Sequence, residues 1–194
     1  MLQSILLNLL SLFIITSNED IQETYTVDSA ASKIEWSGKK VTGEHNGTIL
    51  LKGGSFIFEN KKLIGGSFVI DMTSIINKDL EGQSRQKLEG HLRSDDFFGV
   101  AQYPTANLVI TQAVPQGPGK YKVLGDMTIK GKTNPIKFYA VFNQTEEKVT
   151  GTSTIVIDRS SYDVRFGSGS FFDNLGDKTI YDDFELKVKV VANK

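Results

Sequence analysis

The chain has no cysteine, only two histidines, one tryptophan and four prolines, and no marked excess of either charge. Without cysteine there is no disulfide, no thiolate zinc site, no cysteine nucleophile and no lipidated cysteine of the bacterial lipoprotein kind. With His45 and His91 alone, a three-histidine metal centre cannot be built. Lys and Arg number 22 against 23 Asp and Glu, which gives a net charge of −1 and no broad basic footprint for nucleic acid. The familiar catalytic signatures are missing too. Gly167-Ser168-Gly169-Ser170 has the composition of a nucleophile elbow without its spacing, and Gly43–Gly47 lacks the Lys-Ser/Thr pair of a phosphate loop. Asp173, Asp177, Asp182 and Asp183 are close in sequence but do not follow the calcium-loop pattern. We therefore expect no catalytic constellation, no metal and no cofactor. What remains is 194 residues, enough for one domain with a full core.

The one long apolar run comes first. Residues 1–17, MLQSILLNLLSLFIITS, carry no charged side chain. The run Ile5–Ile15, about 11 residues, is too short for a bilayer span of about 20 and has the length of a signal-peptide core. Ser17 offers a small residue before polar Asn18-Glu19-Asp20, although the segment has no Lys or Arg at its start. The expectation is a signal peptide, hence a periplasmic or secreted protein with no transmembrane span in its mature form.

From Tyr25 onward the pattern has period two. Tyr121, Val123, Met127 and Ile129 share a face opposite Lys120, Lys122, Asp126 and Thr128. Phe184, Leu186, Val188 and Val190 alternate with Glu185, Lys187 and Lys189, and Ile34 and Trp36 with Lys33 and Glu35. Ile136, Phe138, Ala140 and Phe142 form another series, with Tyr139 and Val141 facing outward; Ile155 and Ile157 form one more. One covered face and one wet face is the mark of an antiparallel sheet. Turn signals, among them Gly53-Gly54, Asn60-Lys61 and Gly131–Asn134, separate about eight or nine strands at roughly ten-residue spacing, a barrel or a sandwich. Thr48–Lys52 and Ser55–Glu59 read as two strands joined by the Gly53-Gly54 turn. Asp79–Arg93 breaks the pattern: with Leu80, Leu88 and Leu92 and no β-branched residue, it predicts a short helix capped by Asn77 or Asp79.

Twelve Phe and six Tyr are many for the interior such a sheet encloses. An eight-stranded barrel is just wide enough to be filled by side chains or to hold one ligand, and the pattern alone leaves both open. Gly38, Gly125, Ala140, Gly151 and Ser153 on the inward register either leave a channel or make room for the aromatic rings.

Four stretches, in order and at fitting spacing, resemble the YceI-like family of exported bacterial proteins. They are Tyr25-Thr26-Val27-Asp28 with Ile34–Lys39 and Gly43–Gly47; Gly66–Met72; His91–Phe98 with Tyr103-Pro104-Thr105-Ala106; and Gly125–Thr133. The tail, Ile157-Asp158-Arg159 and Val164–Phe172, is similar to the variant of Bacteroidetes-type members. The resemblance covers residues 24–192. It implies an all-β, eight-stranded antiparallel lipocalin-like barrel with the helix near its mouth. It also implies non-catalytic binding of a long-chain isoprenoid lipid, a polyprenyl phosphate or a quinone-like chain.

On that reading the inward registers line the site. The candidates are Trp36, Phe68, Ile70, Val123 and Met127, together with Phe138, Phe142, Ile155, Phe184 and Leu186. Arg159 and Arg165 are candidates for a phosphate or quinone head group, against the alternative that Arg159 pairs with a carboxylate and fixes its loop. Phe97 and Phe98 either gate the mouth or dock the helix, and His91 and Asp95 either hold the helix down or reach a ligand. Two other functions compete. A filled barrel would act as an envelope interaction or stress protein through outward Tyr139 and Val141, with a homodimer left open. An enzyme acting on a lipid would need His45 or His91 to converge with Asp or Tyr inside the barrel.

Overall fold

A computed structural model describes residues 21–194; the signal-peptide reading of residues 1–17 lies outside them. The elements are β1 (Gln22–Val27), β2 (Lys33–Lys40), β3 (Gly43–Glu59), β4 (Lys62–Asn77), α1 (Gly82–Arg93), β5 (Thr105–Gly117), β6 (Lys120–Ile129), β7 (Lys132–Gln144), β8 (Lys148–Asp158) and β9 (Ile180–Asn193). All pairings are antiparallel, and β3–β4 together with β2–β9 close the sheet on itself. Nine strands make eight staves. β1 pairs with the second half of β3, Gln22 opposite Glu59 and Thr26 opposite Ser55. β2 pairs with its first half, Ile34 opposite Ile49 and Lys40 opposite Gly43. Both also pair with β9, so they form one stave interrupted at Asp28–Ser32. The Asp28 carboxylate accepts from the Ala30 and Ala31 N–H groups at 3.0 Å, and Ser32 Oγ accepts from Val191 N at 3.0 Å, so the jog satisfies its own backbone. The result is the expected closed, eight-stranded antiparallel barrel.

One expectation about β3 is corrected. Gly53-Gly54 is a bulge within a single long strand and not a turn between two. The register passes from Leu51 opposite Ile70 to Gly53 opposite Val69, one extra residue on β3. Gly54 has φ +150°, and a Cβ there would lie 2.3 Å from the Ser67 carbonyl oxygen, so only glycine fits. The bulge reverses which parity points inward: Ile49 and Leu51 are buried before it, Phe56 and Phe58 after it.

The two ends of the barrel differ. At the far end, where β1 begins, Tyr25, Phe56, Phe58, Tyr121 and Phe142 are buried. Phe142 meets Phe56 at 5.2 Å, Tyr121 at 5.6 Å and Phe58 at 6.2 Å between ring centroids, all edge to face, contacts worth about 0.5–1.5 kcal/mol each beyond their burial. Tyr25 Oη donates to the Thr145 carbonyl at 3.2 Å and accepts from Gln144 Nε2 at 3.2 Å. The far end is closed.

The other end carries α1 between β4 and β5. The helix starts at Gly82, later than the sequence predicts, because Gly82 lies at φ +54° and Glu81 takes the capping position without a side-chain bond. Asn77 and Asp79 serve elsewhere. Asn77 Nδ2 donates to the Asn46 carbonyl at 3.0 Å, and Asp79 Oδ1 accepts from Asn46 N at 2.7 Å, so both tie the approach to the helix onto β3. Glu89 accepts from Asn77 N at 2.8 Å and from Arg85 Nε at 2.9 Å, and Arg93 Nη2 donates to the Ile75 carbonyl. Past the helix, Lys130 Nζ donates to the Asp95 carbonyl at 2.9 Å. The helix is thus strapped across the mouth by hydrogen bonds to β4 and the β6–β7 turn.

Candidate functional site

The barrel is hollow in two compartments. The upper cavity, about 100 Å³, lies beneath α1 and is lined by Trp36, Met72, Ile75, Phe97, Phe98, Ile129, Phe184 and their neighbours. The lower cavity, about 80 Å³, reaches down to Phe56, Phe68, Phe138 and Phe142. Both are lined by Ile34, Ile70, Met127 and Leu186, which therefore form a waist between them. Met127, unbranched and with three rotatable bonds, is the most adaptable of the four. The lining is apolar almost throughout; such a hollow stays dry and takes apolar matter.

The structure brings most of the candidate lining residues together. Trp36 and Phe184 lie in the upper cavity and Phe68, Phe138, Phe142 and Ile155 in the lower, with Ile70, Met127 and Leu186 at the waist. Val123 is fully buried and is not among the residues lining either cavity. The sequence reading omitted the contribution of β3, Ile49, Leu51 and Phe56. Period two would have found each pair, but not across the parity reversal at Gly53-Gly54. Phe97 and Phe98 are buried at the roof, 4.9 Å apart edge to face, with Phe98 also 6.3 Å from Phe184. They dock the helix and cover the cavity together.

Arg159 is the charged residue in the upper lining, and its donors are already used. It begins a single 3-10 turn, Arg159–Tyr162, directly after β8. Its guanidinium is 2% exposed and donates to the carbonyls of Tyr181, Val164, Phe166 and Ile180 at 2.7–3.2 Å. It also pairs with Asp182 at 3.2 Å and lies 5.4 Å from the centroid of the Phe97 ring. Burial lowers its pKa, with Asp182 and Asp158 opposing, and it stays charged. The geometry is that of a staple holding the β8–β9 connection. Arg165 is exposed and paired with Asp163, its guanidinium 4.9 Å from the Phe171 ring centroid. Tyr162 is buried with its hydroxyl unpartnered, and burial raises its pKa.

Neither histidine converges with an acid inside the barrel. His45 Nδ1 lies 2.7 Å from Asp79 on the strap to the helix. Burial would raise the Asp79 pKa, but the Asn46 N–H, His45 and Asn77 outweigh it and hold the carboxyl below its ordinary value. His91 packs edge to face on Phe166 at 4.3 Å and Phe97 at 5.5 Å. Among the described residues no group of three or more His, Asp or Glu is arranged to hold a metal ion, and no helix is long and apolar enough to cross a membrane.

Comparison with known proteins agrees with this architecture. The YceI-like domain model matches residues 25–192. A UPF0312 protein of Vibrio parahaemolyticus is 35% identical over 106 residues, 50% of this chain and 53% of that protein. One of Shewanella denitrificans is 31% identical over 87 residues, 45% of this chain and 44% of that protein. The alignments thus span about half the length of these curated relatives. Among solved structures, Burkholderia cenocepacia BcnA superposes with TM-score 0.66 at 26% identity, over 86% of this chain and 99% of that one. A polyisoprenoid binding domain from Saccharophagus degradans, implicated in plant cell wall breakdown, superposes with TM-score 0.65 over 87% and 97%, at 15% identity; that likeness is one of fold. With the model spanning nearly the whole described barrel, the chain belongs to the family of YceI-like domains.

Proposed function

We propose that this protein binds a long-chain isoprenoid lipid, a polyprenyl phosphate or a quinone-like chain, without chemically changing it, in the periplasm or outside the cell. The observation that carries the reading is the interior: two apolar compartments that share Ile34, Ile70, Met127 and Leu186, closed at the far end by aromatic rings. Such a site needs few polar contacts, since each buried CH₂ contributes about 0.8 kcal/mol. The affinity is held well below that sum by the ordering of the chain. Placement of Trp36, Phe138 and Met127 in the lining and the polyisoprenoid-binding name of the Saccharophagus relative support the same ligand class. Arg159 is spent on its loop, which leaves Arg165 at the rim as the candidate partner for a charged head.

The test is native mass spectrometry of the exported protein, followed by organic extraction and lipid identification. A stoichiometric isoprenoid supports the reading and names the cargo. A clean apo mass, with no uptake of offered polyprenyl phosphates or quinones, overturns it. A second reading would then take its place, an interaction protein or homodimer. It rests on Tyr139 and Val141, 63% and 50% exposed, which flank a shallow groove on the outer wall with Thr152 and Lys187.

A further inference from the structure

Exposed aromatic side chains are concentrated at the helix end of the barrel. Among the described residues the exposed aromatics are Tyr139, Phe166, Phe171, Phe172 and Tyr181. All but Tyr139 sit in the β8–β9 connection or at the start of β9. Backbone and side-chain bonds gather them into one rim. Phe171 N and Phe172 N both donate to the Ser168 carbonyl at 3.2 and 3.1 Å, Ile180 N donates to the Gly167 carbonyl at 2.8 Å, and Val41 N donates to the Thr179 carbonyl at 3.1 Å. Ser170 Oγ donates to Asp182, next to Tyr181, at 2.7 Å. Val41, at the tip of the β2–β3 turn, adds an exposed apolar side chain.

This rim is continuous with the cavity, because Tyr181 is half exposed and also lines the upper compartment. Along the chain its apolar side chains are interleaved with Arg165 and Lys178 on one hand and Asp173, Asp177 and Asp183 on the other. A protein partner calls for a continuous apolar face with a dry centre. Scattered aromatic tips among charges suit the headgroup level of a membrane, where ring and charge are both accommodated. The geometry points to a lipid bilayer as the occupant of this rim: the barrel docks helix end down, with Phe166, Phe171, Phe172 and Tyr181 in the interface and the cavity mouth against the membrane. This rests on the lipid-binding reading of the cavity. Because the rim charges are mixed, docking is driven by apolar insertion and depends little on anionic lipid or on salt.

The test reads which end meets the membrane. The full chain, carrying Trp36→Phe, receives a single reporter tryptophan at the rim (Phe172→Trp) or at the far end (Ile64→Trp). Each is mixed with phosphatidylcholine vesicles containing brominated acyl chains. Strong quenching at position 172 and none at 64 is expected, unchanged in high salt. Quenching at 64, at both positions or at neither overturns the proposal; the first is the pattern of an anchor at the far end, where Ile21 lies against Asn60. In the native background, Phe171→Ser with Phe172→Ser is expected to lower vesicle binding about tenfold or more, from the loss of two inserted rings. Equal vesicle binding by this variant and by Tyr139→Ser overturns it as well. Uptake of a detergent-solubilised polyprenyl phosphate, measured without vesicles, separates the two readings. Uptake without quenching at 172 ends the docking proposal and leaves the cavity reading intact; quenching at 172 without uptake does the reverse.

Discussion

Arg159 shows how far a residue's role depends on partners distant in sequence. Its type fitted a head-group ligand or an ion pair that fixes its loop; it pairs with Asp182, and its other partners are carbonyls 5 to 22 residues away, backbone acceptors that leave no trace in a sequence. Its replacement by Met leaves four carbonyls, that of Val164 buried and the others partly so, without their donors and Asp182 without its cation. The expected loss is about 3–5 kcal/mol, read as a fall in the urea midpoint, and Arg159→Lys recovers little because an ammonium cannot reproduce the fork. An unchanged midpoint would mean that the staple is ornamental. The waist and wall residues were legible, since alternation alone put Met127 and Phe138 inward and Lys122 outward, and both of the former line the cavities. Met127→Lys or Phe138→Arg places a charge in the dry hollow and is expected to abolish lipid uptake, whereas Lys122→Ala on the outer face leaves it unchanged. Uptake is measured by fluorescence of a bound polyprenyl analogue, and retained circular dichroism shows that the variants fold. Equal loss in all three would dissolve the assignment of the cavity as the site.

At the scale of elements, regular alternation was easy to read and its interruptions were not. β6 and β9 each follow period two across the cavity wall, and their inward residues stand out from sequence alone. β3 does not, because one extra residue at Gly53-Gly54 exchanges its faces, and two adjacent glycines signal a turn as readily as a bulge. The helix was visible from its leucines, but its straps were not, since they join Asn77, Glu89 and Ile75 through backbone groups. One of those straps depends on pH. The Arg85 guanidinium, and then the Asn77 N–H, hold the Glu89 carboxyl below its ordinary value, against a smaller opposing effect of burial. A lowered folded-state pKa means that ionised Glu89 contributes its full stabilisation above the ordinary carboxylate range. The contribution is lost as the pH falls through the lowered value. The stability advantage of wild type over Glu89→Gln should therefore be constant near neutrality and shrink on acidification. Urea midpoints taken across that range measure it; an advantage that grows toward acid pH would give the opposite sign and remove Glu89 as the anchor of α1.

Taken whole, the barrel is a tube closed at one end by aromatic rings. Closure of the sheet, the helix near the mouth and the aromatic interior were all legible in the chain, because each follows from local pattern or from the family resemblance. The asymmetry of the ends was not, because it arises where Tyr25, Phe58, Tyr121 and Phe142 come from four different strands to close the base. A blind tube has a fixed depth, and β9 measures it. Its cavity-lining residues run from Ile180 to Val190, roughly 33 Å along the strand and about 25 Å along a barrel axis from which strands tilt by 35–45°. A lipid tail gains burial with each added unit until it meets the base, at about 0.8 kcal/mol per CH₂ less the cost of ordering it. Beyond that depth, further units remain outside and gain nothing from the wall. Dissociation constants for a series of polyprenyl phosphates of increasing length should fall steeply and then level off once the extended chain exceeds the cavity. Opening the base with Phe142→Ala should move that plateau to longer chains. Affinity that climbs without limit in the wild type would mean that the base does not close the tube, and affinity indifferent to length would mean that only the mouth is used.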